Sequence, residues 1–290
     1  MANETSNKGP VLLRQVKPVA FGMAAPAETI DILVDGEGRI AALGQNLEAS
    51  ADIRRIEGNG AWISPGWIDL HAHVWHGGTD ISVRPQLCGM ERGVTTIVDA
   101  GSAGEANFHG FREYIIEPSR ERIKAFLNLG SIGLVACNRV SELSDIRSID
   151  IDRIIACYQE NREHIVGLKV RASHVITGSW GVTPVKLGKK IAKILKIPMM
   201  VHVGEPPALY DEVLEILGPG DIVTHCFNGK AGSSIIEDED LFELAERCAG
   251  ERNAVGDGEG CDRLEEHKAI MDEQHQCKDE DQVIEAEQDV

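Results

Sequence analysis

At 290 residues, with 42% hydrophobic and 4% aromatic residues, the chain is long enough for one large α/β domain with an aliphatic core and a small companion. A net charge of −18 argues against nucleic acid or an anionic membrane as partner; no apolar run approaches the roughly 18 residues of a membrane span, and MANETSNKGP lacks a signal-peptide pattern. Seven scattered cysteines without a C-x-x-C pair read as free thiols rather than a disulfide framework or a zinc knuckle, so a cytoplasmic location is expected.

Residues 1–62 form the first expected domain. The stretches VLLRQVKPVAFG, TIDILVDGEGRIAALG and ADIRRIEGNGAWI alternate as short strands do. VDGEGRI reads as a hairpin with Asp35, Gly36 and Gly38 at its turn. A small sheet of antiparallel strands is predicted.

Over residues 63–250 the pattern changes. Apolar runs recur at GWIDLHAHV, GVTTIVDAG, IKAFLNLGSIG, IVGLKVRAS, IPMMVHVGE and DIVTHCFNG. Amphipathic segments lie between them, among them FHGFREYIIEPSRER, DIDRIIACYQENREH, VKLGKKIAKIL and PALYDEVLEIL. This alternation predicts βαβ units and a parallel sheet. Six units in succession favour a TIM-like (β/α)8 barrel over a doubly wound sheet. His71, Asp99, Asn128, Lys169, His202 and His225 each sit at or near the C-terminal end of a run, and a barrel gathers those ends at one mouth.

The barrel is incomplete. After EDEDLFELAERCAG (237–250), a helix stopped by Gly250, no seventh or eighth unit is recognisable. Residues 251–290 carry 14 acidic against 4 basic side chains and little apolar content, the composition of a solvated, poorly ordered tail.

His71 and His73 lie two apart, so on a strand both side chains leave one face. Two imidazoles there can bind one divalent, zinc-like cation, although a polar pair closing a strand is the plainer reading. His76 breaks the spacing and falls in a glycine-rich loop. His202 in MMVHVGE and His225 in IVTHCFNG each end an apolar strand, where a buried imidazole needs a specific partner. A satisfied core histidine explains one such case; two on successive strands, opposite an H-x-H pair, point to a metal. Lys169 inside GLKVR is costly to bury as an ammonium. Held near two cations, it can carry carbon dioxide as a carbamate that bridges metals about 3.5–4 Å apart.

PGWIDLHAH at 65–73, Lys169 on the fourth barrel strand, His202 on the fifth and His225 on the sixth resemble the amidohydrolase superfamily. Within it the chain is similar to the dihydroorotase-like deacetylases, over about residues 10 to 250. The resemblance implies a small N-terminal β-sandwich portion and a site with two zinc ions. His71 and His73 match the ligands of the more buried ion, His202 and His225 those of the more exposed one, and Lys169 the N6-carboxylated bridge. It also implies an aspartate ending the eighth strand, as ligand and general base, and a C-terminal return to the sandwich. No residue here matches that aspartate, and no return is recognisable.

The implied activity is metal-dependent hydrolysis of a small cyclic or acyl amide or ester by a metal-activated hydroxide. An acylated amino or hydroxy acid is the expected substrate. Arg171, two residues past Lys169, can face the same interior and bind a substrate carboxylate; equally it can serve a structural ion pair. The segment HVITGSWGVTP (174–184) reads as a loop over the mouth, with His174 and Trp180 as candidate substrate contacts. Asp99 and Asn128 read as strand-end hydrogen-bonding residues. The alternative is a catalytically dead remnant of a longer amidohydrolase, truncated or frameshifted after about residue 250. Homo-oligomerisation stays open.

Overall fold

The computed structural model describes residues 9–19, 28–227, 229, 232–236 and 238–251. Residues 252–290, nearly all of the expected acidic tail, lie outside them. The chain divides into two compact units, Met1–Pro65 and Gly66–Val290.

In the first unit, Asp35 organises a reversal. Its Oδ1 accepts from the backbone N–H groups of Glu37 and Arg39, both at 2.9 Å, and Gly38 supplies the left-handed backbone with φ of 80°. The hairpin joins β2 (Ile30–Val34) to β3 (Ile40–Gly44). β1 (Val11–Pro18) pairs antiparallel with β2, with an irregularity between Leu13 and Val16. There the N–H of Gln15, at φ 53°, is donated to the buried Asp31 carboxylate at 2.9 Å. β4 (Arg54–Glu57) and β5 (Trp62–Ile63) both pair with β1 in parallel. The sheet is thus mixed rather than antiparallel throughout, a distinction that alternation of side chains does not encode.

The second unit is a curled half-barrel of six parallel strands. They are β6 (Trp67–Ala72), β7 (Val94–Asp99), β8 (Arg122–Asn128), β9 (Ile165–Ala172), β10 (Met199–Val203) and β11 (Ile222–Thr224). They neighbour one another in chain order. Among the described residues no further strand follows β11.

The helices are α1 (Pro85–Cys88), α2 (Phe108–Phe111), α3 (Ile151–Glu160), α4 (His174–Thr177), α5 (Thr183–Leu195), α6 (Tyr210–Ile216) and α7 (Glu239–Glu251). α2 runs into a π-helical turn, Arg112–Ile116, and ends short of the span that its amphipathic pattern predicts, because Pro118 has no N–H to extend it. Asp150 caps α3 by accepting from the N–H of Arg153 at 3.1 Å. The expected loop 174–184 is instead α4, a 3-10 turn Gly178–Trp180 and the first residues of α5. Among the described residues no helix is long and apolar enough to cross a membrane.

The two-residue period of the strands sorts the core into two layers. Ile97, Leu127, Leu168, Val170, Met199 and Val201 pack with Phe108, Phe111, Ile154, Val185, Ile191 and Val213 from the helical segments. Their neighbours in sequence, Val98, Phe126 and Met200, meet with Ala100 in a smaller cluster on the concave face. That inner face also carries the polar side chains at the strand ends.

Candidate metal centre

Four imidazoles meet at the C-terminal ends of the first and the last two strands. His71 ends β6 with Ala72, and His73 follows. Their ring centroids are 5.4 Å apart at 85°. His71 also meets His225 at 4.8 Å, and His225 meets His202 of β10 at 4.8 Å. The rings form a continuous chain, His73–His71–His225–His202. His225 holds φ of 66°, a left-handed backbone that costs a non-glycine residue about 1–2 kcal/mol and turns the chain off β11. Thr224 Oγ1 lies 2.8 Å from His71 Nδ1, so the first and last strands of the sheet touch through side chains 153 residues apart.

Burial first, then the nearby Lys169, holds His71 well below the usual histidine range, and the same causes push His73 down to about 3. Both rings are therefore neutral at physiological pH and able to offer a lone pair. His73 Nδ1 is 3.1 Å from Ser102 Oγ, and Ser102 in turn reaches Asp99 Oδ2 at 2.8 Å. Asp99, fully buried at the end of β7, is raised to about 6 by desolvation against the hydrogen bonds it accepts.

Lys169 lies beneath, on β9, at 1% exposure. Its Nζ sits 3.4 Å from Met200 Sδ, and a thioether is a weak acceptor. Burial, then Arg171, brings the amine down to about 7, against the pull of Asp99 and Glu142. The lysine stem needs the glycine above it. A Cβ on Gly101, which has φ of 94°, would stand 2.6 Å from Lys169 Cγ. Asn128 pins that turn: its Nδ2 donates to Gly101 O at 2.9 Å while its Oδ1 accepts from Gly130 N at 2.8 Å. Asp99 and Asn128 thus make strand-end hydrogen bonds.

Arg171 is engaged elsewhere. Its Nε and Nη2 both donate to Glu142, each at 2.8 Å, in a two-pronged pair with side-chain exposures of 14% and 0%. His174 and Trp180 are exposed on α4 and the turn after it, and the His174 N–H is donated to Glu205 O at 2.7 Å. His76 is exposed in its loop, 3.4 Å from Ser82 O. Glu142, Ser102 and Thr224 are the residues that sequence reasoning missed. Each lies in or beside a loop, and none carries a motif.

Among the described residues, no three His, Cys, Asp or Glu side chains converge as they stand on a point that an ion can take. The imidazoles are stacked edge to face instead. The donor set nevertheless suits a divalent cation: His71 and His73 are held neutral, and a buried amine with a weak sulfur acceptor lies near them.

No protein-family model matches the chain. A deacetylase of Agrobacterium fabrum is 77% identical over 257 residues, covering 89% of this chain and 63% of the relative. A crystal structure of a dihydroorotase shares 79% identity at a TM-score of 0.78, covering 83% of this chain and 63% of that one. A crystal structure of an adenine deaminase has 29% identity at a TM-score of 0.71, covering 81% and 63%. The chain thus spans about 63% of the length of the relatives that it matches. In sequence and in its curled parallel sheet, the chain is similar to proteins of the amidohydrolase superfamily.

Proposed function

We propose that this chain carries the metal-binding part of a hydrolase of the dihydroorotase and deacetylase type, acting in the cytoplasm on a small cyclic or acyl amide or ester. One observation carries the reading: imidazoles at or just past the C-terminal ends of β6, β10 and β11 pack ring to ring near a buried lysine. His71, His73, His202 and His225 would hold two divalent ions, zinc foremost, with Lys169 bridging them as a carbamate. Bound ions would supply a water acidified toward neutrality and a polarised carbonyl.

The chain's own residues set the rest. Burial keeps His71 and His73 neutral and therefore able to ligate. A neutral Lys169 amine is the form that takes up carbon dioxide. The Arg171–Glu142 pair holds the guanidinium at the mouth, where its remaining Nη1 can meet a substrate carboxylate; an acylated amino or hydroxy acid fits that requirement. His174 and Trp180 stand exposed on the segment after β9, positioned as outer contacts.

A second reading, metal binding without turnover, is favoured by the sheet. Among the described residues no strand after β11 brings a carboxylate to the mouth as a proton acceptor. Purified full chain, loaded with zinc and offered a panel of acylated amino and hydroxy acids and cyclic amides, separates the two. The proposed activity gives turnover that a chelator abolishes and added zinc restores. Stoichiometric zinc with no turnover supports the second reading, and neither zinc nor turnover sinks both.

A further inference from the structure

A hydroxyl held between a carboxylate and an imidazole decides which nitrogen of His73 carries the proton. Ser102 Oγ lies 2.8 Å from Asp99 Oδ2 and 3.1 Å from His73 Nδ1. Two oxygens at 2.8 Å need a proton between them. Asp99 is already saturated with donors. Its Oδ1 accepts from the N–H groups of Gly101 at 3.1 Å and Ser102 at 2.7 Å, and its Oδ2 from that of Val74 at 2.9 Å. With the serine hydroxyl these donors meet the roughly four lone-pair directions of a carboxylate.

The proton between the oxygens is therefore that of Ser102. Its hydroxyl points at Asp99, and its oxygen faces the ring as an acceptor. Ser82 Oγ, 3.5 Å from Ser102 Oγ, accepts from Thr79 Oγ1 at 2.6 Å, which leaves the Ser82 hydrogen for Ser102 as well. The role left to His73 Nδ1 is donor, and a neutral imidazole that donates from Nδ1 carries its lone pair on Nε2. His71 is held differently. Its Nδ1 meets only the Thr224 hydroxyl at 2.8 Å, with no carboxylate behind it among the described residues, so either partner can donate.

We propose that Asp99 and Ser102 are positioning residues that lock His73 in the Nδ1–H tautomer and so present Nε2 to a cation. The proposal rests on reading the four-histidine cluster as a metal centre. Outer hydrogen bonds of this kind orient a ligand and raise its basicity, and their loss typically lowers metal affinity about 10- to 100-fold.

The test is long-range proton–nitrogen correlation NMR on the metal-free full chain. His73 is assigned by the loss of its signals in His73→Gln, and zinc affinity is measured in parallel by chelator competition. The expected wild-type pattern is a protonated Nδ1 and a bare Nε2. Ser102→Ala is expected to convert His73 to mixed tautomers and to weaken zinc about 10- to 100-fold, while Ser82→Ala changes neither. A wild-type His73 protonated on Nε2 overturns the proposal whatever the variants do. So does Ser102→Ala with unchanged tautomer, or with unchanged zinc affinity where the wild-type chain binds zinc. A locked His73 that Ser102→Ala releases, in a chain that binds no zinc, upholds the lock and removes only the metal reading.

Discussion

Lys169→Met is expected to keep or raise the stability of the metal-free chain while reducing metal-dependent hydrolysis by about 10³-fold or more. The two effects have opposite signs because the lysine answers two demands. As a structural residue it is a poor choice: an amine at 1% exposure, with Met200 Sδ at 3.4 Å as its partner, gives up hydration without a strong acceptor in return. Methionine is unbranched and similar in length, so it fills the same channel past Gly101 and meets Met200 as an apolar neighbour. Replacing a buried polar group that lacks a strong hydrogen-bond acceptor by a well-packed apolar one recovers a desolvation cost of about 1–3 kcal/mol. As a bridging carbamate, by contrast, nothing in methionine replaces it. Chemical denaturation without metal and hydrolysis with zinc, measured on the same preparations, check both halves. A variant less stable than wild type by more than about 1 kcal/mol places Lys169 among structural residues; unimpaired hydrolysis removes it from the site.

The second large effect concerns the mouth. Glu142→Ala is expected to destabilise the chain by about 3–5 kcal/mol, because it strands a guanidinium whose carboxylate partner is fully buried. Glu142 contributes both oxygens to Arg171 at 2.8 Å, and its side chain is shielded completely while the arginine keeps 14% exposure. The double variant Glu142→Leu with Arg171→Leu removes both charges together and is expected to recover most of that loss, a coupling that urea unfolding of the four-member cycle measures directly. A loss under about 1 kcal/mol for Glu142→Ala gives the pair only the weight of an exposed salt bridge.

Much of the centre was legible because strand chemistry is periodic. H-x-H before a glycine-rich loop places two imidazoles on one face, and lone histidines at 202 and 225 ending apolar runs name the opposite side. Lys169 inside GLKVR stands out for the same reason, a charge where the pattern demands apolar atoms. The six parallel strands follow from runs alternating with amphipathic segments. What stayed hidden lies where no period operates. Glu142 sits between β8 and α3 in irregular chain, so neither its burial nor its partner shows in the sequence. Ser102 and Thr224 look like ordinary small polar residues, and their contacts to His73 and His71 depend on the curl of the sheet. The parallel pairing of β4 with β1 is equally invisible, since both pairing directions share one alternation of side chains. The helical turns at 174–180 were masked by Gly178 and Gly181, which read as loop punctuation yet here close short turns at φ of 52° and 51°.

The central claim is that the histidine cluster and Lys169 form one metal centre. Zinc titration of the metal-free full chain against a competing chelator tests it most directly, with His71→Ala and His225→Ala run alongside. The expected result is about two ions bound per chain at micromolar or tighter affinity, and loss of at least one of them in each variant. Zinc bound no more tightly than millimolar, or bound equally well by wild type and both variants, contradicts the claim.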